Sequence, residues 1–81
     1  MRIDSFLNAT NIVKKRAIAQ DMCDNNVVEI NGVRVKSSKE VRVGDRICLH
    51  FLEHTRCYEV LSIPTTRTTS KSMTHTFIKE L

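Results

Sequence analysis

Apolar positions along this chain change their spacing from helical to extended between residues 23 and 28. In the opening stretch DSFLNA, Phe6 and Leu7 suit a short first helix with both side chains turned inward. Thr10 is placed to cap a second helix running from about residue 11 to about 23. At about 100° per residue, Ile12, Ala19, Met22 and Cys23 then share one stripe. Asp24-Asn25-Asn26 stops that helix, since Asn25 or Asn26 can take the left-handed conformation that a C-terminal cap needs.

Beyond it the period becomes two. In VVEINGVRV, Val28 and Ile30 alternate with polar residues, Asn31-Gly32 suits a type I′ turn, and Val33 and Val35 resume the alternation. This predicts a hairpin. Lys36 to Glu40 read as a polar loop and Gly44-Asp45 as a turn. Ile47, Leu49 and Phe51 alternate with Arg46, Cys48 and His50, as a half-buried strand does. A further strand is expected over residues 56 to about 63, closed by Pro64. Residues 65 to 73 are rich in Thr and Ser and read as flexible, with Phe77-Ile78 free to dock at a place the sequence does not fix.

Eighty-one residues give room for one modest core. The formal charge of +4 and the pI near 9.3 raise the prospect of an anionic partner without choosing one. The amino-terminal stretch carries no long apolar run, which speaks against a secretory signal, and no segment has the length to span a bilayer. Cys23, Cys48 and Cys57 form neither an even set nor a CxxC pair. That argues against a disulfide framework and for a reducing, cytoplasmic setting.

The cations fall into two groups. Arg2, Lys14, Lys15 and Arg16 face only Asp4 over residues 2 to 16. On the expected second helix, the three consecutive ones would splay into a collar around its first turns. Such cations either solvate a surface or meet phosphates, and a helix N-terminus adds backbone donors to the second role. Arg34, Lys36, Lys39, Arg42 and Arg46 lie on the hairpin and the loop after it, where charges also protect strand edges. They gain interest only beside the first group. Cys48, His50, His54 and Cys57 offer four zinc-type ligands in ten residues, but C-x-H-x3-H-x2-C is not a usual knuckle, and we expect no metal. The two glycines belong to turns, the acids are scattered and the histidines lack a nucleophile, so we expect no enzyme and no cofactor.

Several short marks together carry a family resemblance. They are Arg2-Ile3-Asp4, the basic run Lys14 to Arg16, the apolar Ala19 and Met22, the V-x-I-N-G of Val28 to Gly32, and the V-x-x-G-D-x-I of Val41 to Ile47. In this order and spacing, over residues 1 to 63, the chain resembles the S-four domain, the alpha-L RNA-binding fold of ribosomal proteins. In size it looks most like the short stand-alone members, the RqcP group. The resemblance implies an α+β fold, with two N-terminal helices packed on a small, mainly antiparallel sheet of about four strands. It implies a domain over residues 1–63 and a flexible or weakly docked tail over 64–81.

It also implies a role. The expected partners are large-subunit rRNA and peptidyl-tRNA on stalled subunits, with an RqcH-like factor during alanine tailing, and the protein is expected to be a monomer. The RNA-facing positions implied are Arg2, Asn11, Lys14, Lys15, Arg16, Lys36 and Lys39, with Asp4 orienting a helix or a neighbouring arginine. Two residues depart from the pattern. Asn11 stands where relatives often carry Arg, and Asn26 where Gly is usual. The alternatives are a non-catalytic adaptor for an acidic protein, and a recycling factor for stalled subunits like the longer heat-shock relative. Phe6, Phe51, Tyr58 and Phe77 are few for a base-stacking platform, which favours recognition of shape and backbone.

Overall fold

The computed structural model describes residues 1–64 and 74–81. The stretch read as flexible, 65 to 73, lies outside them.

Helix α1 covers Ile3–Ala9. Ile3, Phe6 and Leu7 stand at helical spacing and are wholly buried. The expected start of the second helix is corrected. Thr10 does not cap it. Its hydroxyl turns back and donates to the Phe6 carbonyl at 2.7 Å, which closes α1. Asn11 then adopts a φ of 63°, which no helix can continue through. Residues 11–15 form a loop, fastened by the Asn8 amide, which donates to the carbonyls of Val13 (3.2 Å) and Lys14 (3.0 Å). Helix α2 begins only at Arg16 and spans Arg16–Asp24. Ala19 and Cys23, one turn apart, are its buried side; Met22 is half-buried, and Ile12 packs from the loop instead.

The helix ends as its asparagines suggest. Asn26 is the left-handed residue, with φ 59°, and Val27 N–H donates back to the Met22 carbonyl at 2.9 Å. Strands β1 (Val28–Ile30) and β2 (Val33–Arg34) make the expected hairpin, with positive φ at both Asn31 and Gly32. Val33 departs from expectation: it sits on a two-residue edge strand and is 64% exposed.

Asn26 and Asn31 share a backbone conformation but not a role. The Asn31 amide donates to Asp45 Oδ1 at 3.1 Å, and its oxygen accepts from Arg46 N–H at 3.0 Å. Asn26→Gly removes only a steric cost and is expected to raise stability by about 0.5 kcal/mol. Asn31→Gly also loses two hydrogen bonds and is expected to lower it by about 1 kcal/mol. Urea midpoints moving in the same direction would refute this reading.

Strand β3 spans Arg46–His50 and β4 spans Thr55–Val60. Phe51 does not continue β3. It is 40% exposed and stacks on His54 in the connecting loop, with ring centroids 4.8 Å apart. Strand β4 stops three residues before the expected end. After the undescribed segment, α3 (Thr74–Phe77) leads into β5 (Ile78–Glu80), which pairs with β4 and buries Ile78. The sheet has five strands, all pairings antiparallel, in the order β2-β1-β3-β4-β5. Its inward residues, among them Val28, Ile30, Ile47, Leu49 and Val60, join Ile3, Phe6, Leu7 and Ala19 in one core.

The cysteine expectation is also corrected. Register sets Cys48 directly opposite Cys57, and the two are joined by a disulfide. An odd total hid a matched pair, because pairing depends on strand register and not on counting. Cys23 is free and buried.

Candidate nucleic-acid interface

The starts of the two helices meet at one carboxylate. Asp4, in the first turn of α1, is fully buried. Its oxygen Oδ2 lies 3.4 Å from Arg2 Nη2 and 3.3 Å from Arg16 Nε, and accepts from Gln20 Nε2 at 3.1 Å. Its other oxygen accepts from Ser5 N–H at 2.7 Å. Burial pushes the Asp4 carboxyl up, but the hydrogen bonds from Gln20, Ser5 and Arg16, with the Arg16 charge, outweigh it and hold it below the usual carboxylate range. One buried anion therefore fixes two guanidinium groups side by side. Each guanidinium side chain keeps nearly half its surface in solvent, 48% for Arg2 and 40% for Arg16. Forked donors held in this way suit phosphate oxygens.

The collar takes a different form from the one expected. Lys14 and Lys15 precede α2, both exposed, and Arg16 is its first residue. Two cations thus ride on the loop that Asn8 fastens, and the third is gripped by Asp4. Asn11, at the head of this loop, donates its amide to Thr74 Oγ1 at 3.2 Å, at the start of α3.

The second basic group does sit beside the first. Ile3 N–H donates to the Lys39 carbonyl at 2.7 Å, Val41 N–H to the Met1 carbonyl at 2.9 Å, and Arg2 bridges Glu40 through the backbone. The loop carrying Lys36 and Lys39 is therefore stitched to the first turn of α1. Both lysines are exposed. They line a groove of about 810 Å³ together with Arg34 and Arg42, and with Glu40 and Asp45 as its acids.

Sequence reasoning missed Gln20 as a partner of Asp4, although its position four residues after Arg16 puts both on one helix face. It also gave Asn8 no part in shaping the loop. The remaining candidates for chemistry do not assemble. Cys48 and Cys57 are bonded to each other, His50 Nε2 lies 3.0 Å from Glu29 Oε2, and His54 stacks on Phe51. Among the described residues, no group of three or more His, Cys, Asp or Glu is placed to hold a metal ion. No helix among them is long and apolar enough to cross a membrane.

The S4 domain profile matches residues 1–47, which takes in α1, α2, β1, β2 and the Asp4 clasp. This chain belongs to the S4 domain family. The chain is 45% identical over 78 residues to the "RQC P-site tRNA stabilizing factor" of Helicobacter pylori strain J99, covering 96% of this chain and 93% of that one. It is 30% identical over 81 residues to the factor of the same name from Bacillus subtilis, covering 99% and 94%. Two solved structures are similar throughout. Heat Shock Protein 15 of Vibrio cholerae, a trimeric structure, gives a TM-score of 0.90 at 27% identity, covering all of this chain and 81% of that one. The solution structure of the protein HP1423 gives 0.88 at 42%, covering 100% and 96%.

Proposed function

We propose that this S4 domain protein binds RNA of the large ribosomal subunit in ribosome-associated quality control, and supports the peptidyl-tRNA left there by failed translation. The observation that carries the reading is the pair Arg2 and Arg16, held half-exposed on one buried Asp4 with Lys14 and Lys15 beside them. The names of the relatives supply the setting, and the electrostatics supply the means. In this reading Arg2 and Arg16 grip the sugar-phosphate backbone, while Lys14, Lys15, Lys36 and Lys39 add further cationic grip. Asn11 faces the same RNA with a neutral amide. Asp4 acts through the arginines as a positioning residue.

The protein works by holding, with no chemistry of its own, in the cytoplasm and as a monomer. An RqcH-like factor is its protein partner during alanine tailing. Residues 1–63 carry the RNA-binding surface of the module, and Ile78–Glu80 complete its sheet as the fifth strand. The likeness to Heat Shock Protein 15 supports a second reading of the same surface, in which stalled subunits are recycled rather than tailed.

The test is co-sedimentation with large subunits that carry peptidyl-tRNA. Replacing Arg2 and Arg16 together by Ala is expected to weaken binding by roughly tenfold per arginine, since each gives up charged hydrogen bonds. The salt slope should fall by about 0.7 to 0.9 for each phosphate that is no longer neutralised. Full occupancy by the double variant would overturn the reading. RNase digestion should release the wild-type protein from its heavy fraction; retention would point to an acidic protein partner instead.

A further inference from the structure

The sheet has a second face. Alternation turns Ile47, Leu49, Tyr58 and Val60 into the core, and sends Arg46, Cys48, His50, Cys57 and Glu59 the other way. Cys48 and Cys57 stand at the middle of this outward face, on the central strand and its neighbour. The Asp4 clasp belongs to the helical side. Neither cysteine has a part in the RNA reading, from which this inference takes only the reducing compartment.

We infer that Cys48 and Cys57 form a reversible redox modification site, which closes to a disulfide with a low-molecular-weight disulfide oxidant and reopens to two thiols within the same fold. Three observations support this. First, the bond ties strands that are already paired through five residue pairs, from Arg46↔Glu59 to His50↔Thr55. The ladder holds the two cysteines opposite each other, Cα atoms 4.0 Å apart, so register alone keeps them within bridging reach whether the bond is closed or open. Second, the two residues are only nine apart in sequence. A bond across so short a loop restricts the unfolded chain less than a long-range one, so it contributes less to the fold than a long-range staple does. Third, both cysteines are half-buried, and Cys48 opens onto a groove of about 520 Å³ walled by Glu29, Gly32, Arg46 and Glu59. A small disulfide can enter there.

The third thiol is kept out of this exchange. Cys23 is 3% exposed in the core. Burial, with the charges of Asp4 and Asp24, pushes its thiol up to about 11, so little reactive thiolate forms there.

The chemistry balances within the pair and the oxidant. One protein thiolate attacks the small disulfide, expelling one small thiol and leaving a mixed disulfide. The second protein thiolate attacks the sulfur bound to the protein and expels the other small thiol. Two protein thiols lose two protons and two electrons, and the oxidant gains both as two thiols. The reverse sequence reopens the bond. A disulfide held by a protein working in a reducing compartment is of this exchangeable kind rather than a permanent staple.

The test equilibrates the full chain in buffers of stepped glutathione to glutathione-disulfide ratio, quenches exchange with acid, then unfolds and alkylates it and weighs the intact protein. From the reducing to the oxidising end, free thiols should fall from all three cysteines to Cys23 alone, in one step that removes two together. The far-ultraviolet circular dichroism should not change, and returning to reducing buffer should restore all three. Cys23→Ala should show the same two-thiol step. Cys48→Ser should instead collect a single glutathione on Cys57 and close no bond. The inference falls if the bond resists glutathione across the series, if the thiols are lost independently, if Cys23 exchanges with the pair, or if oxidation links two chains.

Discussion

Replacing Asp4 by Ala is expected to lower stability by about 2 to 3 kcal/mol and to weaken RNA binding although no cation is removed. Breaking a fully buried ion pair costs more than this, because the surviving charge is stranded away from water. Here Arg2 and Arg16 are nearly half-exposed and can return to solvent, which discounts the loss. What remains is the lost bonding of Gln20 and Ser5 and the lost packing of a wholly buried side chain. Asp4→Asn separates shape from charge. It keeps much of the packing, and its expected cost is about 1 to 2 kcal/mol. The asparagine variant also carries a signature in pH. The folded protein holds the Asp4 carboxyl below the usual carboxylate range, so the unfolded chain takes up a proton there first. The contribution of Asp4 is therefore full above that range and is lost as the pH falls through the depressed value. Urea unfolding of the wild type and of Asp4→Asn should show a stability gap near neutral pH that shrinks on acidification. A gap that stays constant until the whole protein unfolds would mean that the charge of Asp4 contributes nothing.

The second large effect is expected from ending the chain at Pro64. This removes β5, with the buried Ile78 and the half-buried Phe77. Tyr58 and Val60 lose their neighbours across the ladder, and Leu61 N–H loses the Phe77 carbonyl at 2.7 Å. Burial of one large aliphatic side chain and part of an aromatic one contributes about 2 to 4 kcal/mol. The ion pair of Arg56 with Glu80 is exposed at both ends and adds little. A domain of this length has a total stability of roughly 4 to 12 kcal/mol. The shortened chain should therefore still fold and bind RNA, with a urea midpoint lowered by about a sixth or more. An unchanged midpoint would mean that β5 only rests on the sheet. A chain that no longer folds would mean that residues 1–63 are not a module in their own right.

The legible parts of this fold are the ones set by neighbours in sequence. The spacing of Phe6 and Leu7 marks α1, and the paired positive φ at Asn31 and Gly32 answers the Asn-Gly signal. Ile47 and Leu49 keep the alternation of β3. The errors lie where a residue has two local options or a partner far along the chain. Thr10 is equally able to open a helix or to bond backward, and the loop that Asn8 fastens decides for the second. Phe51 has the alternation of a strand residue but falls where the turn to β4 begins. Cys57 meets Cys48 only once the register is known, and a three-residue β5 has no pattern without the edge of β4 to receive it. At the candidate interface the cations are visible as charges. The link from Asp4 to a neighbouring arginine comes from the family resemblance and its complete burial from the fold; Gln20 stands at helical spacing from Arg16, but that spacing points to Asp4 only once the two helices are packed.

Both margins of the sheet are brief and charged. Strand β2 is two residues long and ends on Arg34; β5 is three and carries Lys79 and Glu80. A neighbouring copy finds almost no ladder to prolong at either side, and must strip water from charged side chains when it tries. Crowding many molecules together should therefore not seed fibrils through the flanks of this sheet, even though apolar residues make up 41% of the chain.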